Sequence, residues 1–234
     1  MDQAKLLVQI GYQFKNEDLL KEALTHRSYL NEHPDWKLPH NERLEFLGDA
    51  VLELVITEEL FNRYTEKEEG WMTSVRAALV NYQMLADVAR SIGVDGAVLL
   101  SRGESKDTGR AREVILANAL ESLIGAVYQD GGYLPAKKFI NQVVTSRLED
   151  VIRNALHVDA KSQLQEKVQA SLKVTPIYRV LSSEGPDHKK IFTIGVYFGE
   201  KLVAQGSGPS KQDGEVEAAK AALVVIESQR RPLV

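Results

Sequence analysis

Apolar residues recur at three- and four-residue intervals over the first two-thirds of the chain, and at every second position over much of the remainder. The first pattern is that of helices with one buried face, the second that of half-buried strands. Asn16 is placed to cap a helix that runs through Leu19, Leu20, Ala23 and Leu24. The stretch HNERLEFLGDAVLELVI, which begins at His40, predicts a helix continuing to about Tyr64. Residues 72–92 predict another, ended by Gly93. SRGESKDTGR is polar and Gly-containing and predicts a loop. Residues 112–129 predict a helix stopped by Asp130-Gly131-Gly132, and Pro135 suits the first turn of one that runs to about Asn154.

The pattern changes after His157. AKSQLQEKVQASL reads as a helix, and GEVEAAKAALVVIES as a second that closes the chain. Between them, IYRVLSSE, KIFTIGVYF and KLVAQGSG alternate β-branched and aromatic residues with polar ones, which predicts three strands joined by EGPDHKK and GEK. The expected architecture is an all-α domain over residues 1–155, followed by a small α+β (α-β-β-β-α) domain over 159–229.

Composition narrows the function. The 234 residues are 44% hydrophobic and 26% charged, ordinary for a protein with a packed core. No apolar run approaches the roughly 20 residues needed to span a bilayer, so no membrane partner is expected. MDQAKLLVQIGYQF lacks the basic, apolar and small-residue succession of a secretory leader. The absence of cysteine excludes disulfides, thiolate metal sites and a cysteine nucleophile, and fits a cytoplasmic location. The net charge of −4 does not advertise nucleic-acid binding, but it is uneven. Residues 159–234 carry 11 Lys and Arg against 9 Asp and Glu, and the rest 18 against 24.

The helix beginning near His40 raises a chemical question. Glu45 and Asp49 are four residues apart, and Glu42 precedes Glu45 by three, so all three project from roughly one side. Their neighbours Leu44, Phe46, Leu47, Val51 and Leu52 are apolar. A buried carboxylate without a partner is strongly disfavoured, so this face needs a cation. Asn118 and Glu121 repeat the arrangement three apart within VILANALESLIGAVY. Two helices offering two oxygen donors each suit one hard cation such as Mg²⁺, and the lack of histidine in either pair argues against zinc. Ordinary surface charge is the plain alternative, and Glu53 belongs to it.

Longer motifs carry a resemblance. NERLEFLGDAVL, LTHRSY (24–29), EGWMTSVRAALV (69–80) and ILANALESLIGAVYQDGG (115–132) resemble those of the ribonuclease III family, in its order and at its spacing. The resemblance implies a helical endonuclease domain that cuts double-stranded RNA with Mg²⁺, or Mn²⁺ as a substitute, and needs no small-molecule cofactor. It makes Glu45, Asp49, Asn118 and Glu121 the metal-binding residues, with Asp49 and Glu121 most needed for catalysis. The products would carry 5′-phosphate and 3′-hydroxyl ends, and the role would be processing of rRNA and other structured transcripts. Glu42 and Glu69 match positions near the cutting site, with surface charge the alternative for each. Phe46 matches a residue packed across a two-fold homodimer interface, where two sites face the two strands of one duplex. His26, in LTHRSY, is expected to be structural. One departure stands out: many members have Asp where this chain has Asn118. An amide oxygen still ligates but brings no charge. A catalytically weak or inactive duplex-RNA-binding regulator is therefore the competing expectation.

The C-terminal pattern resembles a double-stranded RNA-binding domain, a module that spans about 16 base pairs and reads shape. The resemblance places RNA contacts at Gln165 and Glu166 on its first helix. The hairpin of Pro186, Asp187, His188, Lys189 and Lys190 supplies a second set, and Lys211 a third, beyond a Ser210 cap. Solvated surface is the plain alternative for the first two groups. Gln212 stands where a second lysine is common, and Gly214 where alanine is usual. Weaker RNA binding with a flatter salt dependence is expected.

Overall fold

The computed structural model describes residues 3–154, 160–186 and 190–230. The chain divides into two compact units, Met1–His157 and Val158–Val234. The expected junction at 156–160 lies almost wholly outside the described residues, as do His188 and Lys189.

The first unit is helical: α1 (Gln3–Ile10), α2 (Glu17–Ala23), α3 (Arg27–Glu32), α4 (Glu42–Arg63), α5 (Glu69–Val80), α6 (Tyr82–Ser91), α7 (Arg110–Gly131), α8 (Tyr133–Val143) and α9 (Leu148–Arg153). Asn16 caps α2 by accepting the Asp18 N–H at 3.1 Å. The core is built around α7, where Leu116, Leu120, Leu123 and Ile124 are fully buried, and on α4, where Leu52, Val55, Ile56 and Leu60 are. Asp130 fastens the chain start to the end of α7. It accepts the Tyr12 hydroxyl at 2.7 Å and the N–H groups of Lys15 and Asn16 at 2.7 and 3.1 Å.

Two boundaries differ from expectation. The single helix expected over 72–92 is two, α5 and α6, broken at an extended Asn81 (φ −70°, ψ 155°). Its side chain donates to Ala78 O at 2.9 Å and accepts the Met84 N–H at 2.9 Å, closing one helix and opening the next. Gly93, at φ 86°, does end this region. The helix expected from Pro135 to about Asn154 is also two. After α8, Val144 keeps a right-handed backbone (φ −102°, ψ −54°), and a 3₁₀ turn over Thr145–Arg147 tightens the chain before α9. The run Val143-Val144-Thr145 is β-branched and resists continuous helix.

The second unit is α10 (Ala160–Leu172), β1 (Pro176–Glu184), β2 (Ile191–Phe198), β3 (Lys201–Gly208) and α11 (Lys211–Arg230). The strands form an antiparallel sheet in the order β1-β2-β3, as the alternation predicts. Leu164 and Val168 from α10 and Ala218, Ala219 and Ala222 from α11 bury a separate small core against Val196. The Lys161 ammonium reaches Glu215 at 2.6 Å and ties the two helices together.

Gly214 acquires a physical reason here. A Cβ at this position would stand 2.6 Å from Ile194 Cγ1 and 3.2 Å from Phe192 O, because α11 lies unusually close to β2. Gly214→Ala is therefore expected to destabilise this unit. The roughly 1 kcal/mol gained in helix propensity is outweighed by overpacking of about 1–3 kcal/mol. Urea unfolding checks this, and in Gly214→Ala/Ile194→Ala the losses should be less than additive.

Candidate functional site

Helices α4 and α7 cross in backbone contact. A Cβ at Gly48 would lie 1.8 Å from Glu121 O, and one at Gly125 would lie 2.1 Å from Leu44 O. No side chain separates the two helices there. The crossing brings Glu45 and Asp49, which flank Gly48, to the side of α7 that carries Asn118 and Glu121.

Electrostatics register this closeness. Burial pushes the Glu121 carboxyl up to about 8, and the negative charges of Asp49 and Glu45 add to the effect. Glu45 is also raised, first by burial, then by Glu42 and Asp49, against a hydrogen bond from Asn118 that favours its charged form. Asp49 is exposed, whereas Glu45, Asn118 and Glu121 are partly buried. Among the described residues no Lys or Arg pairs with Glu45, Asp49 or Glu121. Among the described residues no three His, Asp or Glu side chains are already gathered tightly enough to grip a metal ion. The site is thus a set of three carboxylates and one amide whose mutual repulsion lacks a counter-charge. Its chemistry fits a hard divalent cation, which takes carboxylate and amide oxygens and retains waters.

This predicts a pH dependence. Between 4.5 and about 8 the native Glu121 holds a proton that the unfolded chain has released. The native state then binds more protons than the unfolded state, so this group's contribution to stability falls as pH rises through that window. Denaturation midpoints of the metal-free protein should carry this fall, and Glu121→Gln should remove it.

Glu42 sits at the rim, exposed, 3.6 Å from Arg27 and 3.8 Å from His40, and its charge is felt at Glu45. Glu69 lies elsewhere. At the start of α5 it accepts the Thr73 hydroxyl at 3.0 Å and lines a hollow with Thr57, Phe61, Met72 and Arg76. Thr57 is two turns along α4 from Asp49, about 12 Å at 1.5 Å per residue, so Glu69 does not join the cluster within one chain. Phe46 is 82% exposed, on a different side of α4. His26 caps α3. Its Nδ1 accepts the Ser28 N–H at 3.3 Å, and burial holds its pKa down.

In the second unit Gln165 and Glu166 are exposed on α10, opposite the buried Leu164 and Val168. Ser210 caps α11 by accepting the Asp213 N–H at 3.1 Å while donating to the Asp213 carboxylate at 2.6 Å. Lys211 is exposed at that first helical position. Lys190 is partly buried beside the undescribed hairpin tip.

Asn41, Gly48, Ser122 and Gly125, none of them a candidate ligand in the sequence, lie where α4 and α7 meet. A glycine inside a helical run costs about 1 kcal/mol against alanine, and the close backbone approach at Gly48 and Gly125 is the packing reason for it here.

The class of these two units is given by their family matches: a ribonuclease-III-like unit followed by a double-stranded RNA-binding module. Residues 16–148 match the model of the ribonuclease-III-like family, and residues 160–226 that of the double-stranded RNA binding motif. The chain is 41% identical over 224 residues to Ribonuclease 3 of Borreliella afzelii, covering 96% of this chain and 91% of the relative. It is 43% identical over 221 residues to that of Carboxydothermus hydrogenoformans, covering 94% of each. Among solved structures, the nuclease domain of ribonuclease III from Campylobacter jejuni is similar at TM-score 0.56 and 38% identity, covering 62% of this chain and 95% of that one. The chain belongs to the ribonuclease III family.

Proposed function

We propose that this chain is an Mg²⁺-dependent endoribonuclease that hydrolyses double-stranded RNA as a homodimer, leaving 5′-phosphate and 3′-hydroxyl ends. In this reading residues 1–155 are the endonuclease domain and 159–229 the RNA-binding domain. The observation that carries it is the cluster of Glu45, Asp49, Asn118 and Glu121 at the α4–α7 crossing, three of them carboxylates without a cationic partner among the described residues.

These four residues would hold Mg²⁺, with Mn²⁺ as a substitute. When bound, the ion lowers the pKa of its water and offsets charge on the phosphate. Asp49, the most exposed of the four, is the one an approaching RNA phosphate would meet first. Glu121, raised by burial and like charge, would have to give up its proton to serve as a ligand, so cation affinity should rise with pH towards 8. The Asn118 amide favours the charged form of Glu45. No protein nucleophile is required, in keeping with the absence of cysteine.

Dimerisation would bring a second site to the other strand. Phe46 is an apolar ring in solvent, and α4 and α7 border a cavity of about 560 Å³ lined by Leu47, Ala50, Val51, Leu54, Glu58, Tyr128 and Tyr133. A second copy's Phe46 suits that cavity. A C. jejuni nuclease-domain structure similar to this chain at TM-score 0.55 describes flexibility in its region involved in dimer formation. Phe46→Asp is expected to yield monomers by sedimentation and to depress cutting in parallel. A dimer as stable as wild type would remove Phe46 from the interface.

Among the described residues no helix is long and apolar enough to cross a membrane. A cytoplasmic role in processing rRNA and other structured transcripts belongs to the same proposal. The competing reading, a weak or inactive duplex-RNA-binding regulator, is favoured by Asn118, which leaves the site one charge short. One experiment separates them: a long labelled duplex incubated at low salt with and without Mg²⁺, wild type beside Asn118→Asp. Mg²⁺-dependent cutting by wild type supports the enzyme. Binding without cutting, with cutting restored in Asn118→Asp, supports the regulator.

A further inference from the structure

Asn41 stands at the N-cap of α4, where asparagine ordinarily accepts an N–H from the turn that follows. Here its side chain makes no such bond. It is turned inward and 2% exposed, in a place where an uncommitted amide would be costly. Its Nδ2 donates to Ala23 O at 3.4 Å, and its backbone N–H donates to Thr25 O at 2.9 Å. Its carbonyl accepts the Glu45 N–H at 2.9 Å and the Ser122 hydroxyl at 3.3 Å.

Ser122 is fully buried on α7, next to Glu121. Its single hydroxyl proton is shared between Asn41 O and, at 2.7 Å, Asn118 O. One carbonyl, that of Asn41, therefore touches the backbone of Glu45 directly and that of Asn118 through one hydroxyl. The Asn41 side chain fastens this node to the last residue of α2, and its backbone N–H fastens it to Thr25 in the segment that follows. That segment is itself anchored, because Leu99 N–H donates to Leu24 O at 2.7 Å and His26 N–H to Leu99 O at 3.0 Å.

An apolar residue at 41 would fill the space equally well, and an outward asparagine would cap the helix. The inward amide leaves the helix uncapped and adds to space-filling a directed bond to α2. It fixes where the first turn of α4 lies relative to α7. From this geometry we infer that Asn41, together with Ser122, is a positioning residue for the metal-binding side chains, holding Glu45 and Asn118 in mutual register. The inference rests on the metal reading under Proposed function. Groups that orient metal ligands without touching the ion commonly matter about 10–100-fold in metal affinity.

The test uses the full chain and Mn²⁺ as the probe, titrated without RNA and followed by electron paramagnetic resonance. Ser122→Ala is the gentle variant, since it deletes one oxygen within a helix. Asn41→Ala is the stronger one. Each is expected to weaken Mn²⁺ binding about tenfold or more. Each should also raise the Mg²⁺ concentration for half-maximal cutting, while duplex binding without divalent cation stays at the wild-type level. A residue that merely supports the fold would lower the melting temperature and leave Mn²⁺ affinity unchanged. That result in folded Ser122→Ala and Asn41→Ala would overturn the assignment alone. Wild-type protein that binds no Mn²⁺ would sink the metal reading, and the assignment with it.

Discussion

Glu121→Gln is expected to abolish Mg²⁺-dependent cutting of duplex RNA while making the metal-free protein more stable at and above neutral pH. Both effects have one origin. The Glu121 carboxyl is partly buried on α7 beside Asp49 and Glu45, and its pKa stands at about 8 because ionisation there is opposed by burial and by like charge. An amide of the same shape is neutral and escapes that cost. It also removes the charge that a hard cation would take up. Metal-ion stabilisation of a displacement at phosphorus contributes several kcal/mol. A loss of about 4 kcal/mol lowers the rate roughly a thousandfold. The variant should still bind duplex RNA through the second unit, which is remote in sequence and has its own core. Gel-resolved cleavage and thermal unfolding at pH 8 measure the two arms. Cutting near the wild-type rate would refute a catalytic role for Glu121. Inactivity with lowered stability would instead make Glu121 part of the fold.

The same balance explains how much was legible in the chain. A run such as NERLEFLGDAVL combines an apolar stripe with carboxylates three and four apart, and the helix and the acidic face follow from that spacing alone. The three strands follow from alternation, and α2 and α11 from Asn16 and Ser210, whose side chains cap as their positions suggest. What escaped is decided by long-range partners. Asn81 interrupts an otherwise helical pattern because one side chain serves two helix ends. Glu69 matches a motif, yet within one chain it lies beside Thr57 and Phe61, two turns from Asp49 along α4. Gly214, a weakness when read as a helix residue, is where Ile194 fills the space of the absent methyl. Asn41 looks like a cap and is a buried tie. In each case local propensity gives the element, and tertiary contact gives the role.

Gly48→Ala should have the largest effect on the fold. The methyl would lie 1.8 Å from Glu121 O, 2.7 Å from Glu121 C and 2.8 Å from Gly125 N. These are backbone atoms in the middle of a helix, so no side chain can rotate away, and α4 and α7 must separate by an ångström or more. That separation breaks the contacts of residues fully buried along the interface, among them Leu52, Val55, Leu120 and Ile124. It also draws the four candidate metal-binding side chains apart. Alanine's helix propensity returns only about 1 kcal/mol. The net loss is expected to exceed about 4 kcal/mol, in the range reserved for severe core disruption. Gly125→Ala meets Leu44 O at 2.1 Å from the opposite helix and should cost a similar amount. One separation accommodates both methyls, so the double variant should lose clearly less than the sum of the two. Urea unfolding followed by circular dichroism gives these values, with duplex binding as a control that the second unit is intact. A Gly48→Ala protein within about 1 kcal/mol of wild type would mean that the helices part easily at this crossing, since ordinary surface changes already reach half of that. The crossing would then not be what holds Glu45 and Asp49 to Asn118 and Glu121.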